Sequence, residues 1–494
     1  FMVDFARLNN IIDDVDFNYN NAANFTTLYS DLSDFLTFTG TRILEININT
    51  KESNQLTSNV KLPYSIGALT LVRNINILGI ESSRLSFIPS SFQNRINNSA
   101  DLIDLNLSFN ELTTDSFKDG NYNQHINDIS TPIISTLDLS SFITVDLSHN
   151  EFTEFPQSIL YEENNLIIDL NISNNPITEI PTNINQIGTS STFGLNFLNI
   201  GYLQLEDNYQ IPTQLFENSD LTNVNTGNST NLYCPSTVIR AEQQYCFVGL
   251  DSLDVSGNVG ITWNEENMTN TGISTLKIND NGYSTIPTEL SRPLKRFHAN
   301  NNNLIIDERF NTPLKARVGS QYIPQGISEF YLRNNNLSEL SRFIIGTTAF
   351  SNNSNNNVGR TLNIFDISYN VNLTNDGVLV DELLDYEPTI VSGIQFGTIV
   401  NLVLRGIELE QFPNTHPEFF SYFPFEANPA YAAGYHYIDI AENPFYCDCP
   451  SLVDVPSCDM PEWVKDGLEQ NWIVGFDERS CESSDFEQEE DIIG

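Results

Sequence analysis

The chain is short of positive charge. Of its 494 residues, 22 are Lys or Arg and 64 are Asp or Glu, so the formal net charge is −42. A polyanion of this size repels nucleic acid and anionic lipid, and the sequence predicts neither as a partner. It also lacks any run of about 18 apolar residues, the length that a membrane-spanning helix needs. Its 40% hydrophobic content is nevertheless too high for a wholly disordered chain.

Catalytic motifs are missing as well. The chain has five histidines but no Gly-x-Ser-x-Gly elbow, no Gly-x-x-x-x-Gly-Lys loop, no His-Glu-x-x-His and no kinase motif set. Carboxylate pairs are so frequent among the 64 acidic residues that no glycosidase pair stands out. The sequence therefore predicts a protein that is not an enzyme and that needs no cofactor.

Cysteine is scarce and clustered, whereas glycosylation sequons are numerous. The six cysteines are Cys234, Cys246, Cys447, Cys449, Cys458 and Cys481. The Asn-X-Ser/Thr sequons begin at Asn24, Asn97, Asn106, Asn171, Asn228, Asn267, Asn336, Asn352 and Asn372. An even cysteine count beside many sequons indicates a secreted, disulfide-bonded glycoprotein. We expect all six cysteines to be paired, with Cys234–Cys246 closing a long loop.

The strongest positive signal is an eleven-residue motif that recurs along the chain at intervals of more than twenty residues. From Leu102, apolar residues fall at steps 1, 4, 6 and 11, and Asn110 falls at step 9. Further copies with Asn at step 9 start at Phe142, Ile167, Ile200, Leu250, Ile273, Leu294, Ile327, Leu362 and Tyr435. Weaker copies, which lack that Asn, start at Ile43, Ile75 and Ile399. Alternation at steps 4 and 6 predicts a half-buried strand in each copy. The step-9 amide can satisfy backbone groups of the turn that follows.

This pattern resembles the leucine-rich repeat family, whose motif is Leu-x-x-Leu-x-Leu-x-x-Asn-x-Leu. The resemblance implies an α/β fold: a curved solenoid with a parallel concave sheet and irregular convex loops and short helices. About thirteen copies would occupy residues 43–446. Family copies run about 20–29 residues, and most copies here are longer, so the sequence predicts insertions outside the sheet.

Both ends of a solenoid need a cap. Apolar positions in residues 1–42 predict a short helical N-terminal cap. Residues 447–482 resemble the cysteine-rich C-terminal cap of extracellular leucine-rich repeat proteins, with Trp463 in its helix, and residues 483–494 form an acidic tail. Four cysteines allow three pairings; we expect Cys447–Cys458 with Cys449–Cys481. A zinc site is the alternative, but no histidine lies within 447–481.

Steps 3, 5 and 7 of each copy point away from the core and form the surface that a ligand meets. In the later copies this surface carries cationic and aromatic residues, which we predict as the binding site: Lys277, Arg296, His298, Tyr331, Arg333 and Arg405. Arg and Tyr are the residue types that most often anchor interfaces. The alternative interpretation is that these cations neutralise the chain's own acids.

The earlier copies present acids and amides instead. A row of Asp104, Asp146 and Asp169 suggests either a divalent-cation site or plain solvation, and we favour solvation and predict no metal. The sequons at Asn106 and Asn171 fall on the same surface, where a glycan would block binding.

Together these features predict a secreted or cell-surface recognition and adhesion protein that binds a protein or a glycan through the solenoid. The alternative function is a structural subunit of an extracellular filament, sheath or matrix. Such a subunit would assemble with copies of itself, for example through the acidic segment Asp485–Asp491.

Overall fold

The computed structural model divides the chain into two compact units, Phe1–Ser274 (unit 1) and Thr275–Gly494 (unit 2). The residues that it describes are 36–39, 42–49, 62–63, 65–66, 69, 72–79, 84–89, 92, 103–117, 139–160, 165–188, 194–217, 236–240, 243–247, 250–263, 268, 271–287, 290, 294–305, 328–338, 362–373, 399–407, 437–443 and 473–474.

Unit 1 contains one main sheet and a separate hairpin. The strands of the sheet are β1 (Leu36–Thr39), β2 (Arg42–Asn49), β3 (Asn74–Leu78), β4 (Asp104–Asn106), β5 (Thr144–Asp146), β6 (Asp169–Asn171), β7 (Phe197–Asn199) and β10 (Ser252–Asp254). Strand β1 pairs antiparallel with β2, and every later pairing in the sheet is parallel. The hairpin joins β8 (Ser236–Arg240) to β9 (Gln243–Phe247).

Unit 2 is built from parallel strands that pair in chain order. These are β11 (Thr275–Lys277), β12 (Arg296–His298), β13 (Glu329–Tyr331), β14 (Leu362–Asp366), β15 (Ile399–Val403), β16 (Tyr437–Asp439) and β17 (Ile473–Val474). Each of the thirteen predicted copies contributes one strand across the two units. The predicted leucine-rich repeat solenoid, with its parallel sheet, is confirmed.

The core lies beneath steps 4 and 6, as the repeat predicts. Leu105 and Leu170 at step 4 are buried in unit 1. In unit 2 the same step is aromatic: the ring centroids of Phe297 and Phe330 lie 5.6 Å apart, and those of Phe330 and Phe365 lie 6.0 Å apart. Neighbouring copies therefore bury step-4 side chains against one another, which no single copy can do alone.

The step-9 asparagines form a buried ladder between copies. Asn175 Nδ2 donates to the carbonyl oxygens of Leu147 (3.0 Å) and Ile172 (2.9 Å), and its Oδ1 accepts from the Phe152 amide (3.1 Å). Equivalent bonds are made by Asn110, Asn150, Asn258, Asn302, Asn335, Asn370 and Asn443. The predicted role of this amide is confirmed at these eight positions.

Two copies start at positions other than those predicted. Asn74 pairs with Asp104, which places the start of that copy at Val72 instead of Ile75. Phe197 pairs with Asp169, which moves another start from Ile200 to Leu195 and leaves Asn208 exposed. The residues around Ile200 match the motif in both frames, and only pairing with the neighbouring strand selects the register.

The turn after each strand places its step-8 residue in the left-handed region. Residues with positive φ occur at step 8 of eleven copies: Phe109, His149, Asn174, Tyr202, Gly257, Asp280, Asn301, Asn334, Tyr369, Gly406 and Glu442. Bulky residues are rare in this conformation, so the aromatic members are notable.

Short helices connect several of the strands. Those within the described residues are four 3₁₀ turns, Thr114–Phe117, Gln157–Ile159, Thr182–Gln186 and Val371–Leu373, and one α-helix, Gln214–Glu217. Pro156 and Pro181 precede two of the turns. This position suits proline because no ladder donor is required there.

The described parts of both predicted caps are strands. The N-terminal cap was predicted to be helical, but its residues 36–39 form β1, because Leu36 pairs with Ile46 and is itself buried. At the other end, β17 extends the parallel ladder beyond β16. The predicted helix around Trp463 and the acidic tail lie outside the described residues. Within the described residues, no helix combines the length and apolarity needed to cross a membrane.

Candidate functional site

The outward surfaces of the two units are built on the same geometry. We define the unit-1 face as steps 3, 5 and 7 of the copies that contain β2–β7 and β10. The unit-2 face comprises the same steps of the copies that contain β11–β16. All six residues of the predicted binding site belong to the unit-2 face. Since neighbouring strands lie about 4.8 Å apart, residues at one step of adjacent strands are neighbours.

Three of the predicted residues share the step-5 row. Lys277 pairs with His298 across β11 and β12, and His298 pairs with Tyr331 across β12 and β13. The rings of His298 and Tyr331 are stacked, with centroids 4.2 Å apart and planes inclined by 8°. Strand register thus brings a cation and two rings together from positions that lie 54 residues apart in the chain.

Each predicted arginine forms an ion pair with an acid on the next strand. Arg296 Nε lies 3.0 Å from Glu329 Oε1, and Arg333 Nε lies 3.7 Å from Asp366 Oδ2.

Arg405 makes the closest of these pairs, with Nε at 2.7 Å and Nη2 at 2.6 Å from one oxygen, Asp439 Oδ2. The alternative offered by the sequence, that these cations neutralise the chain's own acids, therefore describes part of what they do.

These three pairs are layered, with the guanidinium outside and the carboxylate beneath. The side-chain exposures of arginine and acid are 55% and 21% for Arg296–Glu329, 45% and 10% for Arg333–Asp366, and 44% and 7% for Arg405–Asp439. The Arg84–Glu111 pair of unit 1 is symmetrical, at 35% and 36%. At each of these three pairs a ligand therefore meets the guanidinium before the carboxylate, although the exposed carboxylate of Glu442 at step 8 also lies near Arg405.

The buried acids correct one expectation about the face. Steps 3, 5 and 7 were predicted to face outward, yet Asp366, Asp439 and Thr275 are buried, and so are the step-7 serines Ser108, Ser148, Ser173, Ser256 and Ser368. The cause at the two acids is the arginine that covers each of them, together with a turn that holds the other carboxylate oxygen. Asp366 Oδ1 accepts from the Ser368 amide at 3.1 Å and from its hydroxyl at 2.6 Å.

Burial raises the pKa of Asp366. The hydrogen bonds from Ser368 and the charges of Arg333 and Arg405 oppose that rise. Both arginines thus act electrostatically on the same carboxyl group.

Sequence reasoning missed Tyr369, which lies at step 8 beside the two arginines. Its φ is 60°, and the Arg333 guanidinium lies 5.2 Å from its ring centroid. Its hydroxyl donates to Glu442 Oε2 at 2.9 Å, and this bond is the main cause of its raised pKa. Any Cβ on Gly406 would come within 2.7 Å of the ring, so only glycine lets the ring lie there. An aromatic residue at a step that usually holds Asn, Asp or Gly was the available signal.

The unit-1 face uses its polar side chains to cap its own turns. The step-5 side chains of Asn106, Asp146 and Asn171 each accept from the step-7 amide, at 2.9, 2.9 and 3.2 Å respectively. Asn199 and Asp254 do the same. These Asx turns explain why Asn-x-Ser recurs here: the sequons at Asn106 and Asn171 are also the turn motif of the repeat.

The row of acids on the unit-1 face does not assemble into a metal site. No group of three or more His, Cys, Asp or Glu residues in the described part of the chain is placed to hold an ion. Asp146 is bonded to Ser148 and, through Oδ2, to Asn171 Nδ2 at 3.2 Å. Burial raises the pKa of Asp169, and the charge of Asp104 raises it further.

The edge of unit 1 carries an aromatic stack. Phe109 and His149, both at step 8, stack with centroids 4.0 Å apart and planes inclined by 10°. Burial lowers the pKa of His149, and the nearby charge of Asp146 opposes that shift. His149 is exposed, and its φ of 54° belongs to the turn after β5.

Two other sequon asparagines are described. Asn336 and Asn372 are exposed, and Asn372 Nδ2 donates to Asn336 Oδ1 at 2.6 Å. The sequons at Asn24, Asn97, Asn228, Asn267 and Asn352 lie outside the described residues. All the cysteines except Cys246 also lie outside the described residues. The backbone of Cys246 pairs with that of Thr237 in the β8–β9 hairpin. The disulfide predictions therefore remain predictions.

No protein-family model matches the chain, and no curated protein matches it. Solved structures do match. The plant peptide hormone receptor RGFR1 in complex with RGF2 is 16% identical, with a TM-score of 0.37 over 79% of this chain and 50% of that one. The ectodomain of the receptor kinase GASSHO1/SCHENGEN3 from Arabidopsis thaliana, in complex with CASPARIAN STRIP INTEGRITY FACTOR 2, is 16% identical, with a TM-score of 0.35 over 88% and 51%.

A third match is the leucine-rich repeat domain of APL1B, which is 12% identical, with a TM-score of 0.35 over 87% of this chain and 88% of that one. This chain spans about half the length of the two plant receptor structures.

Proposed function

We propose that the protein is a non-enzymatic recognition protein that binds a polypeptide partner through the unit-2 face. The observation that carries this proposal is the run of layered arginines and stacked rings across β12–β16. Arg296, Arg333 and Arg405 are each about half exposed. They share one outward surface with the stacked rings of His298 and Tyr331.

The contacts that already fix the conformations of these side chains support a role in binding. A flexible side chain that becomes fixed at an interface costs about 0.5–1.5 kcal/mol in lost conformational freedom. The ion pairs under the arginines, and the stack between His298 and Tyr331, already restrict these side chains in the unbound protein. Large Arg and Tyr side chains can then contribute contact area with little further ordering.

The unit-1 face offers less to a partner. Its step-5 amides and carboxylates accept hydrogen bonds from the backbone amides of their own turns. A ligand that competed for those oxygens would have to replace bonds that the protein already makes. We therefore assign binding to unit 2 and a mainly structural role to the polar row of unit 1.

We further propose that the protein acts outside the cell or at its surface. The support is the combination of clustered cysteines and nine sequons in one chain. Peptide mapping under non-reducing conditions should then recover all six cysteines in disulfides, including Cys234–Cys246. Free thiols in the folded protein would contradict this location.

The binding function is tested by selecting binders for the full chain from a random linear peptide library. We expect enriched peptides that lose most of their binding to a His298→Ala, Tyr331→Ala double variant. The matched control is Phe109→Ala, because Phe109 is an exposed ring stacked on a histidine in unit 1. Failure to enrich any peptide, or equal binding to parent and double variant, would overturn the proposal.

Sedimentation velocity on the same preparation separates this function from self-assembly. A recognition protein should sediment as a monomer or small oligomer. Large assemblies of the purified chain would favour the structural-subunit alternative instead.

A further inference from the structure

The layered pairs share one polarity. In Arg296–Glu329, Arg333–Asp366 and Arg405–Asp439 the exposed partner is always the arginine. In each case the acid comes from the next strand, so the repeat places it under the guanidinium. The net charge of such a pair is zero, but its outer surface consists of N–H donors.

Arg333 and Arg405 belong to one local cluster. Both occupy step 7, on the copies that contain β13 and β15, with the β14 copy between them. That intervening copy supplies Asp366, on whose carboxyl group the charges of both arginines act, and Tyr369, whose ring centroid lies 5.2 Å from the Arg333 guanidinium and whose amide donates to the Arg405 carbonyl at 2.8 Å. The Arg333 guanidinium therefore lies by Asp366 and Tyr369, and the Arg405 guanidinium lies by Asp439 on the strand that follows its own.

Each arginine retains hydrogen-bonding capacity toward solvent. A guanidinium carries five N–H donors in a fixed fork. Arg405 directs Nε and Nη2 at a single oxygen, Asp439 Oδ2, while 44% of its side chain stays exposed. Arg333 contacts Asp366 at 3.7 Å through Nε and is 45% exposed. Both side chains are thus held from below while their other edges remain available.

We propose that Arg333 and Arg405 form the anchoring subsite for carboxylate groups of an acidic peptide, with Asp366 and Asp439 as the residues that position them. This subsite rests on the function proposed above and names the ligand chemistry. Arginine forks bind carboxylates in a bidentate manner, with geometric specificity that a lysine lacks.

The repeat geometry also sets the spacing of the ligand's acids. Two strand separations amount to roughly 9.6 Å. In a polyproline II conformation, residues three apart lie on the same side and are separated by about 9.3 Å. A peptide that crosses the strands should therefore carry acidic residues at positions i and i+3.

The test uses the peptides selected on the full chain and one charge-conserving variant. We expect the selected peptides to carry Asp or Glu at positions i and i+3, and synthetic versions with Asn or Gln there to lose binding. The double variant Arg333→Lys, Arg405→Lys keeps both charges but removes both forks, so we expect its affinity to fall at least about tenfold. Arg84→Lys, in the symmetrical pair of unit 1, should bind as the parent does. Circular dichroism and thermal melting of each variant check that it is folded.

A second variant tests the positioning role. Asp439→Asn keeps the oxygen that accepts from the Ala441 amide (3.1 Å), as Asn does at step 5 of other copies, but removes the charge beneath Arg405. If Asp439 positions the fork, binding should weaken several-fold although the face becomes more positive. If Asp439 only neutralises charge, binding should strengthen instead, and the positioning role is overturned.

Failure of the subsite differs from failure of the proposed function. If no peptide is enriched, the recognition function itself is contradicted. If enriched peptides lack acids, or bind the Arg→Lys double variant as tightly as the parent, the carboxylate subsite is wrong while recognition stands.

Discussion

The outward faces of the two units have the same backbone and different chemistry. Both present steps 3 and 5 of their parallel strands outward, whereas the step-7 serines of unit 1 are buried. In unit 1, step 5 is Asn or Asp and step 7 is often Ser, so the side chains close their own turns. In unit 2, step 7 includes Arg333 and Arg405, and each reaches the acid on the next strand. The repeat thus supplies equivalent positions in both units, and the residues at steps 5 and 7 decide what the face does with its polar groups. Either these groups hydrogen-bond within their own turns, or arginine N–H donors face outward.

The cores of the two units also differ in the side chains that they contain. Step 4 is aliphatic in most copies of unit 1, as at Leu105 and Leu170, and aromatic in much of unit 2, where Phe297, Phe330 and Phe365 follow one another. Larger step-4 side chains lie under the face that carries the larger outward side chains.

The largest effect should come from removing step-4 side chains in either unit. We expect Phe330→Ala to lower the free energy of unfolding by about 3–5 kcal/mol, and Leu105→Ala or Leu170→Ala by about 2–5 kcal/mol, because each leaves a cavity between copies. Urea unfolding followed by fluorescence measures the change. A negligible effect at Leu170 would mean that the repeat frame of unit 1 is wrong.

The asparagine ladder should come next. Asn175→Ala strips bonds from two buried carbonyls and one amide, so we expect a loss of about 3 kcal/mol in unfolding free energy. Asn208, which the sequence placed in the ladder, is exposed and has a φ of 62°, so Asn208→Gly, which suits that conformation, should change stability by less than about 0.5 kcal/mol. Equal losses in the two variants would restore the original frame at Ile200.

The layered and symmetrical ion pairs should differ in stability as well. Arg405→Gln leaves the buried carboxylate of Asp439 without its cation, and we expect a loss of about 1–3 kcal/mol, since the exposed side of the pair lets water compensate in part. Arg84→Gln breaks a surface pair and should cost less than about 1 kcal/mol. Chemical denaturation of both variants makes the comparison, and similar losses would contradict the layered description.

A smaller, pH-dependent effect is expected on the unit-1 face. The pKa of Asp169 is raised in the folded protein, so its charged form destabilises the fold above that pKa, and the penalty disappears as the pH falls through it. Asp169→Asn should therefore raise the melting temperature slightly at pH 7, with an advantage that shrinks toward acidic pH. Asp207→Asn, at an exposed position, is the control. An advantage that grew on acidification would reverse the sign of this argument.

The smallest effect should be at the sequons of the unit-1 face. Ser108→Ala removes the sequon at Asn106 but keeps the backbone amide that donates to Asn106, so stability should change by about 0.5 kcal/mol or less. We expect glycopeptide mass spectrometry to find Asn106 and Asn171 without sugar, because both are half-buried and bonded. Sugar at either position would remove the unit-1 face as a binding surface.

Most of the fold could be predicted because its signal is local and repeated. The step-4 and step-6 residues and the ladder asparagines recur at constant spacing, and each copy tests the others. The prediction failed where a segment matched the motif twice. Ile200 and Leu195 both start acceptable copies, and only the pairing of Phe197 with Asp169 decides between them.

The placement of the candidate site residues was predicted in part, while their role in binding stays a prediction. Lys277, His298 and Tyr331 were placed together correctly, because strand register follows from the repeat itself. The layering of the arginines was not foreseen, since it depends on how far each side chain reaches across to the next strand. Tyr369 was missed because step 8 was treated as a turn position only.

The sequence by itself determined the repeat, the strand in each copy, the buried asparagine ladder and the outward direction of the six candidate residues. All of these depend on spacing along the chain, which periodicity records directly. Only the tertiary structure decided the register of the ambiguous copies, the burial of Asp366 and Asp439, and which edge of each guanidinium is held. These depend on contacts between residues 28 to 34 positions apart, where no local pattern specifies which residues pair or which side chain lies on top.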